Sequence, residues 1–176
     1  MPIKDYIRTI PDFPTEGILF RDITGLLENA EGLREALDLI VERYHEGDDI
    51  DVVAGIEARG FIFGAAVAAR LGVGFIPLRK PGKLPGPTLG VDYELEYGTD
   101  RLEMHVGAMG PGNRVLIIDD LIATGGTAEA AVRLVREAGA SPVECCFVID
   151  LPDLGGADRV RSLGCPCYSL CAFEGH

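Results

Sequence analysis

The chain has 176 residues, of which 47% are hydrophobic, and its formal net charge at pH 7 is −12. This length and composition suit one domain, residues 1–176, with one well-buried core. The acidic balance argues against binding to nucleic acid or to membrane surfaces. No apolar run is long enough to cross a bilayer and the N-terminus lacks a signal-peptide pattern, so we expect a cytoplasmic location.

The first segment combines a short amphipathic stretch with residues that break regular structure. Ile3 to Ile10 has the spacing of a short helix that ends before Pro11. Residues 12–24 contain Pro, Gly and Phe and favour neither a helix nor a continuous strand, which predicts an ordered loop or hood. Its two aromatic residues, Phe13 and Phe20, fit a lid that stacks on a flat ligand and an anchor in the core equally well.

The next segment alternates between helical and strand patterns. Leu33 to Tyr44 and Phe61 to Leu71 have helical spacing, and Asp51 to Ile56 and Val73 to Leu78 have the composition of buried strands. Short links between these elements predict a parallel sheet with right-handed crossovers.

Cationic residues follow two of these strands in a chain that is otherwise acidic. Arg59 follows the first strand, and Arg79, Lys80 and Lys83 follow the second. Solvated surface side chains are the ordinary explanation for such residues. Because all four follow strands at one edge of the sheet, we favour joint neutralisation of a multiply charged phosphate group.

The second half of the chain completes an α/β pattern. Residues 93–106 alternate polar and apolar side chains and predict a β-hairpin that turns at residues 98–100. Pro142 to Ile149 predicts a buried strand, Ala157 to Leu163 a short helix and Cys167 to Phe173 an edge strand. The expected fold is a mainly parallel central sheet flanked by helices.

The most informative stretch is residues 114–138, where a buried strand leads through a loop of small residues into a helix. The loop, Ala123 to Thr127, turns backbone N–H groups toward a helix N-terminus, where the dipole favours an anion. We expect Thr124 or Thr127 to cap the helix. Asp119 and Asp120 directly precede the loop; they would repel a bare phosphate but suit the hydroxyls of an attached sugar or a nearby Mg²⁺.

An ordinary strand-to-helix turn with acidic residues is the alternative interpretation of this stretch. The stretch lies at the carboxyl end of a strand, where open α/β sheets bind ligands, and this favours a sugar-phosphate site. It is neither a Walker A loop nor a Rossmann glycine motif.

The same stretch resembles the phosphoribosyl pyrophosphate (PRPP) signature of the type I phosphoribosyltransferase family, and further blocks resemble its adenine-specific members. The resembling blocks run in family order across nearly the whole chain. They are Phe13-Pro14-x-x-Gly17-Ile18-x-Phe20-Arg21-Asp22-Ile23-Thr24, Glu57-Ala58-Arg59-Gly60-Phe61, Arg79-Lys80-Pro81-Gly82-Lys83-Leu84-Pro85, Leu95-Glu96-Tyr97-Gly98 and Asp119-Asp120-Leu121-x-Ala123-Thr124-Gly125-Gly126-Thr127.

The resemblance implies a type I phosphoribosyltransferase fold with a small N-terminal hood, about residues 1–30, and a β flap, about residues 84–106. It implies that adenine and PRPP react to give AMP and pyrophosphate in purine salvage. The implied cofactor is Mg²⁺, bound mainly through PRPP rather than by protein ligands. A homodimer is also implied.

The resemblance also assigns binding roles to the matching residues. The 5′-phosphate and ribose of PRPP are bound by Asp119, Asp120, Ala123, Thr124, Gly125, Gly126 and Thr127. Pyrophosphate is bound by Glu57, Ala58, Arg59, Gly60, Arg79, Lys80 and Lys83, the last three cations acting across a dimer interface. Adenine is bound largely by backbone groups, with stacking on the aromatic ring, at Leu19, Phe20 and Arg21.

The implied catalytic residues are Glu96 and Arg59. In 6-oxopurine relatives the position that matches Ala123 is an Asp facing N7 of the purine, and the position that matches Gly126 is commonly a Lys. Since Ala123 cannot exchange a proton, the resemblance directs acid–base chemistry to Glu96, with Tyr97 of the flap closing over the site.

Two alternatives remain: transfer to another nucleobase, and a PRPP-sensing regulator without chemistry. Ala123 and the hood weigh against the first. The retained Glu96-Tyr97 pair and the basic run weigh against the second, as does the lack of room for the DNA-binding segment that such regulators usually carry.

Overall fold

The computed structural model describes residues 2–45, 50–95 and 97–175. In chain order the strands are β1 (Arg8–Pro11), β2 (Leu19–Asp22), β3 (Val52–Ile56), β4 (Gly74–Leu78), β5 (Thr88–Glu94), β6 (Thr99–His105), β7 (Arg114–Ile122), β8 (Ser141–Asp150) and β9 (Cys167–Ala172). The α-helices are α1 (Thr24–Glu28), α2 (Ala30–His45), α3 (Gly60–Leu71), α4 (Gly126–Glu137) and α5 (Gly156–Ser162). Short 3-10 helices lie at Ile3–Tyr6 and Pro152–Leu154.

A five-stranded parallel sheet in the order β4-β3-β7-β8-β9 forms the centre of the fold. Successive side chains of a strand point to opposite faces, and β7 shows this directly. Val115 and Ile117 belong to the apolar layer formed with α4, α5 and the β5–β6 hairpin, whereas Leu116 and Ile118 belong to the layer formed with α1, α2 and α3. The predicted α/β fold with a parallel sheet is confirmed.

Helix α4 shows how the sequence pattern produces one of these layers. Its apolar residues are buried against the sheet, and full burial of a side chain such as Val132 contributes about 1.5–3 kcal/mol. The helix is followed by Gly139, whose φ of +85° is a conformation that glycine adopts without steric cost. Because α4 begins at Gly126, four residues after β7 ends at Ile122, its N-terminus lies at the carboxyl end of β7.

Helix α3 approaches β3 closely because two glycines face each other where they meet. A Cβ on Gly55 would lie 2.6 Å from the ring of Phe75 and 2.9 Å from the carbonyl oxygen of Gly60. A Cβ on Gly64 would lie 2.7 Å from the same ring. Only glycine permits this approach, and it fixes the start of α3 and therefore the loop at residues 57–59.

The strand order creates a topological switch point between β3 and β7. The chain leaves β3 through α3 to β4 on one side, whereas β7 pairs on the other side of β3. The loops that follow β3 and β7 consequently lie side by side at the carboxyl edge of the sheet. Open α/β sheets bind ligands in the crevice at such a point.

The predicted helix from Ile3 to Ile10 is wrong beyond Tyr6. The chain instead continues as β1, which pairs antiparallel with β2 so that Ile10 lies opposite Phe20. A helix this short is marginal by itself, and the hairpin satisfies the same backbone groups while Ile7 is buried in extended conformation. The predicted hairpin at residues 93–106 is confirmed, but its first strand begins earlier, at Thr88. The predicted turn at residues 98–100 is wrong, because Thr99 and Asp100 already pair with Glu94 and Tyr93 in the ladder.

The predicted loop at residues 12–24 is wrong for residues 19–22, which form β2 because they pair with β1. The remaining predicted elements are confirmed with shifts of a few residues at their ends. Strand β9 lies at the edge of the sheet, as expected. In the described residues, no helix is long and apolar enough to cross a membrane.

Candidate active site

The loop between β7 and α4 has the geometry of an anion-binding site. Gly125 occupies the N-cap position of α4 with φ of +89°. Because this residue has no side chain, and no other described side chain caps the helix, the prediction that Thr124 or Thr127 caps α4 is wrong. The hydroxyl of Thr127 lies 3.5 Å from that of Tyr93 instead. The first N–H groups of α4 therefore remain available to a ligand.

A cavity of about 560 Å³ opens over this loop. Besides the loop it is lined by residues from the hairpin, from β7 and β8 and from α5. These residues are Tyr93, Glu94, Leu95, Asp119, Leu121, Ile122, Ala128, Phe147 and Arg159. Tyr93, Phe147 and Arg159 are not among the predicted site residues, since only the folded chain brings them to the loop.

Strand β7 extends through Asp119 and Asp120 to Ile122, past the strand end that the sequence predicted. Because successive side chains of a strand point to opposite faces, the two carboxylates have different environments. Asp119 lines the cavity, and its carboxylate accepts the backbone N–H of Asp120 at 2.8 Å. Burial, followed by the charge of Asp120, raises the pKa of Asp119 well above its ordinary range. Hydrogen-bond donors such as hydroxyl groups stabilise a buried carboxylate of this kind.

Asp120 is buried and accepts a hydrogen bond from Nε of Arg59 at 2.5 Å. This hydrogen bond raises the pKa of Arg59 above its ordinary value. The pair joins the loop after β3 to the strand that leads to the anion loop. This hydrogen bond brings together two residues, Arg59 and Asp120, that are 61 positions apart in the chain.

The loop after β3 is also joined to the end of β4. Arg79 donates from Nε to the carboxylate of Glu57 at 3.0 Å, and the backbone N–H of Lys80 donates to the same oxygen at 3.0 Å. Burial alone would raise the pKa of Glu57, but these two hydrogen bonds outweigh it and lower the pKa. The peptide bond between Glu57 and Ala58 is cis.

The four cations expected to act together are divided by the structure. Arg59 and Arg79 contact the two carboxylates beside the β3 loop. The ammonium of Lys80 points instead to the hairpin, where it donates to Asp100 and to the hydroxyl of Tyr93, each at 2.5 Å. Lys83 is exposed in the turn that follows.

The hairpin β1–β2 forms a second cavity of about 300 Å³, and Arg59 is also in its lining. The rings of Phe13 and Phe20 line it, with centroids 5.0 Å apart at an interplanar angle of 72°. Phe13 is 51% exposed, so it is not an anchor in the core. The arrangement fits a lid over a flat ligand, which was one of the two alternatives.

Arg21 holds this hairpin against the C-terminal segment. Its guanidinium donates to the hydroxyl of Thr9 at 2.6 Å and to the carbonyl oxygen of Glu174 at 2.9 Å, and it lies 4.5 Å above the ring of Phe173. These contacts fix the backbone of residues 19–21 beside the second cavity.

The tip of the β5–β6 hairpin lies next to the first cavity. The backbone N–H of Leu95 donates to the carbonyl oxygen of Gly98 at 2.9 Å, and Tyr97 is 88% exposed. Glu96, the expected acid–base residue, lies outside the described residues, and its role stays a prediction.

The site fits a Mg²⁺ ion that arrives with a phosphorylated ligand. Within residues 2–45, 50–95 and 97–175, no group of three or more His, Cys, Asp or Glu side chains is arranged to hold a metal ion. Mg²⁺ commonly takes one or two protein carboxylates and completes its shell with substrate phosphates and water. Asp119 at the first cavity supplies such a carboxylate.

The anion-binding geometry at the α4 N-terminus, the neighbouring loop with Arg59 and the N-terminal hairpin fit a phosphoribosyltransferase, and the phosphoribosyl transferase domain family matches residues 22–166. Adenine phosphoribosyltransferase from Parvibaculum lavamentivorans is 61% identical over 176 residues, with all of both chains covered. The crystal structure of adenine phosphoribosyltransferase from Rhodothermus marinus has a TM-score of 0.90 at 50% identity, covering 97% of this chain and 96% of that one. The Saccharomyces cerevisiae enzyme, complexed with an imino-altritol bisphosphate and adenine, has a TM-score of 0.87 at 42% identity and covers 96% of each chain. This chain belongs to the adenine phosphoribosyltransferase family.

Proposed function

We propose that this protein transfers the 5-phosphoribosyl group of PRPP to adenine, giving AMP and pyrophosphate in purine salvage. The observation that carries the proposal is the anion loop at α4 with Asp119 beside it, joined through Asp120 and Arg59 to an aromatic-lined cavity. One cavity thus suits a sugar phosphate and the adjoining one a flat base. The yeast relative is complexed with both a bisphosphate and adenine.

During the reaction the bond between C1 of the ribose and pyrophosphate loosens, and N9 of adenine captures the sugar, which develops oxocarbenium character. The site must hold the sugar, neutralise the leaving group and accept the N9 proton. The loop Ala123 to Thr127 binds the 5′-phosphate through backbone N–H groups at the α4 N-terminus. Asp119 accepts hydrogen bonds from the ribose hydroxyls.

Pyrophosphate is bound by Arg59 and Arg79 together with the backbone of residues 57–60. Asp120 acts mainly by holding Arg59, which the 2.5 Å contact supports. Asp119 would hold a Mg²⁺ ion brought largely by PRPP, and the ion would supply neutralisation of the phosphate oxygens. Lys80 holds the flap near its tip through Asp100, which pairs with Tyr93, while its backbone N–H donates to Glu57.

Adenine lies under the hood, with its ring against Phe20 and its polar edge on the backbone of residues 19–21. Glu96 accepts the proton from N9, and Tyr97 closes over the reacting groups. The fold comprises one phosphoribosyltransferase domain, residues 1–176, whose hood and flap occupy about residues 1–30 and 84–106. We further propose a cytoplasmic homodimer in which Lys83, exposed in its turn, reaches the partner's pyrophosphate site; family resemblance supports this assembly.

The test is incubation with PRPP, Mg²⁺ and each nucleobase in turn, with AMP and pyrophosphate measured. We expect AMP from adenine, and slower reaction or none with hypoxanthine and guanine. Faster turnover of a 6-oxopurine would reassign the substrate. Tight PRPP binding without product from any base would favour the PRPP-sensing alternative.

A further inference from the structure

Helix α5 packs directly against the phosphate loop. The backbone N–H of Gly156 donates to the carbonyl oxygen of Ala123 at 3.1 Å, and a Cβ on Gly125 would lie 2.9 Å from Cα of Gly156. Two glycines in contact therefore allow the backbones of α5 and the loop to touch. This places the side chain three positions further along α5, Arg159, at the rim of the phosphate cavity.

The guanidinium of Arg159 is oriented by a carboxylate of α4. Nε and Nη2 both donate to Oε2 of Glu129, at 3.0 Å and 2.5 Å. The opposite edge, Nη1, faces the loop: it donates one N–H to the carbonyl oxygen of Thr124 at 3.4 Å and lies 3.8 Å from the position of a Cβ on Gly126, which leaves its second N–H for a ligand. Arg159 thus directs one N–H edge to the N-terminus of α4 with its other edge already bound.

The charges around the cavity indicate a role for the Nη1 edge of Arg159. Among the described residues that line it, Arg159 is the only cationic side chain, whereas Glu94 and Asp119 are acidic. A phosphate monoester carries about −1.5 to −2 charges at pH 7. In a chain with a net charge of −12, backbone dipoles alone would have to hold that dianion against two nearby carboxylates. A cation at this rim offsets the repulsion.

We propose that Arg159 is a binding residue for the phosphate monoester of the substrate, donating from Nη1 to an oxygen of the 5′-phosphate, and that Glu129 positions it. The assignment rests on the proposed function for the identity of the sugar phosphate. It adds a side-chain cation to a site that otherwise consists of backbone groups and hydroxyls.

The test compares Arg159→Gln with the wild type and with Arg161→Gln. The control removes the same charge from the same helix, at a side chain that contacts Asp158 and the carbonyl oxygen of Cys167 rather than the cavity. Ribose 5-phosphate and Mg²⁺-pyrophosphate are each titrated calorimetrically into all three proteins. Thermal melting establishes that each variant is folded.

We expect Arg159→Gln to weaken the binding of ribose 5-phosphate on the order of tenfold to a hundredfold, which is the effect of losing one charge-assisted hydrogen bond. The affinity for pyrophosphate should be unchanged. Arg161→Gln should match the wild type for both ligands. Equal losses for both ligands would show a general charge effect, and unchanged ribose 5-phosphate affinity would show that Arg159 only bridges the helices; either result overturns the assignment. If ribose 5-phosphate binding depends on Arg159 but no AMP is formed from adenine, the proposed function fails and the binding role stands.

Discussion

Gly156 offers a sharp test of how closely α5 supports the phosphate loop. In Gly156→Ala the new Cβ would lie 2.5 Å from the carbonyl oxygen of Ala123, 2.8 Å from Cγ1 of Ile122 and 3.0 Å from the backbone nitrogen of Gly125. Two of these three neighbours are backbone atoms of the loop region. To reach an ordinary contact of 3.4 Å, the closest pair must separate from 2.5 Å by about 0.9 Å.

Overpacking of this kind costs about 1–3 kcal/mol. If the loop moves, the cost appears as weaker PRPP binding, about 5-fold to 150-fold in KM or Kd. If α5 moves instead, the cost appears in the free energy of unfolding and lowers Tm by about 2–4 °C for each kcal/mol at this chain length. The loop is the more easily displaced, since α5 is held by the buried Val160 and the loop contains two glycines. We therefore expect most of the loss in PRPP binding.

The measurement is KM for PRPP together with urea unfolding of Gly156→Ala. Gly74→Ala is the matched control, because a Cβ at Gly74 would meet no atom within 4 Å and the backbone has no positive φ. The control should keep the wild-type KM and be slightly stabilised by the reduced entropy of its unfolded chain. Wild-type PRPP binding and wild-type stability in Gly156→Ala would together refute the inferred close packing.

Three further predictions concern the carboxylates. The pKa of Asp119 is raised in the folded state, so ionisation of this carboxyl lowers the stability of the fold as pH rises above 3.8, its ordinary pKa. Asp119→Asn should therefore stabilise the fold at pH 7 but not at pH 3.5, and it should weaken PRPP binding. Equal stability changes at both pH values, measured beside Asp158→Asn at an exposed site, would contradict this. Asp120→Asn should weaken PRPP binding because it loosens the contact that holds Arg59. Unchanged affinity for pyrophosphate would argue against a role for Asp120 through Arg59. Glu96→Gln should lower kcat on the order of 100-fold or more with little change in PRPP affinity, and near-wild-type kcat would assign the proton to another group.

The sheet and most helices could be predicted because hydrophobic periodicity is a local property. Strand β7 and helix α4 each carry the apolar spacing of their own structure, so the buried layers follow from the sequence. The N-terminal hairpin could not be predicted, because its stability comes from pairing with β2 rather than from any pattern within Arg8–Pro11. Its four residues show no alternation in burial.

The site could be predicted only where a motif is contiguous. Loop 123–127 and the adjacent aspartates were identifiable from their neighbours in sequence. Arg159 has no such signal: it lies on a short helix 35 positions after Thr124, and only the contact between Gly125 and Gly156 places it at the loop. The separate roles of the four predicted cations likewise depend on partners distant in sequence.

The same distant partners explain how an acidic chain prepares a site for a polyanion. Arg59 is hydrogen-bonded to the carboxylate of Asp120, and Arg79 to that of Glu57. The carboxylates hold the guanidinium groups in place and reduce the net positive charge at this edge of the sheet. An incoming pyrophosphate must therefore use the N–H groups that these pairs leave free or compete with the carboxylates. A bare polyanion gains little under those conditions, whereas one that brings its own divalent cation meets a nearly neutral, preorganised edge. Under the proposed function, the pairing favours a metal-bound pyrophosphate group over a bare one.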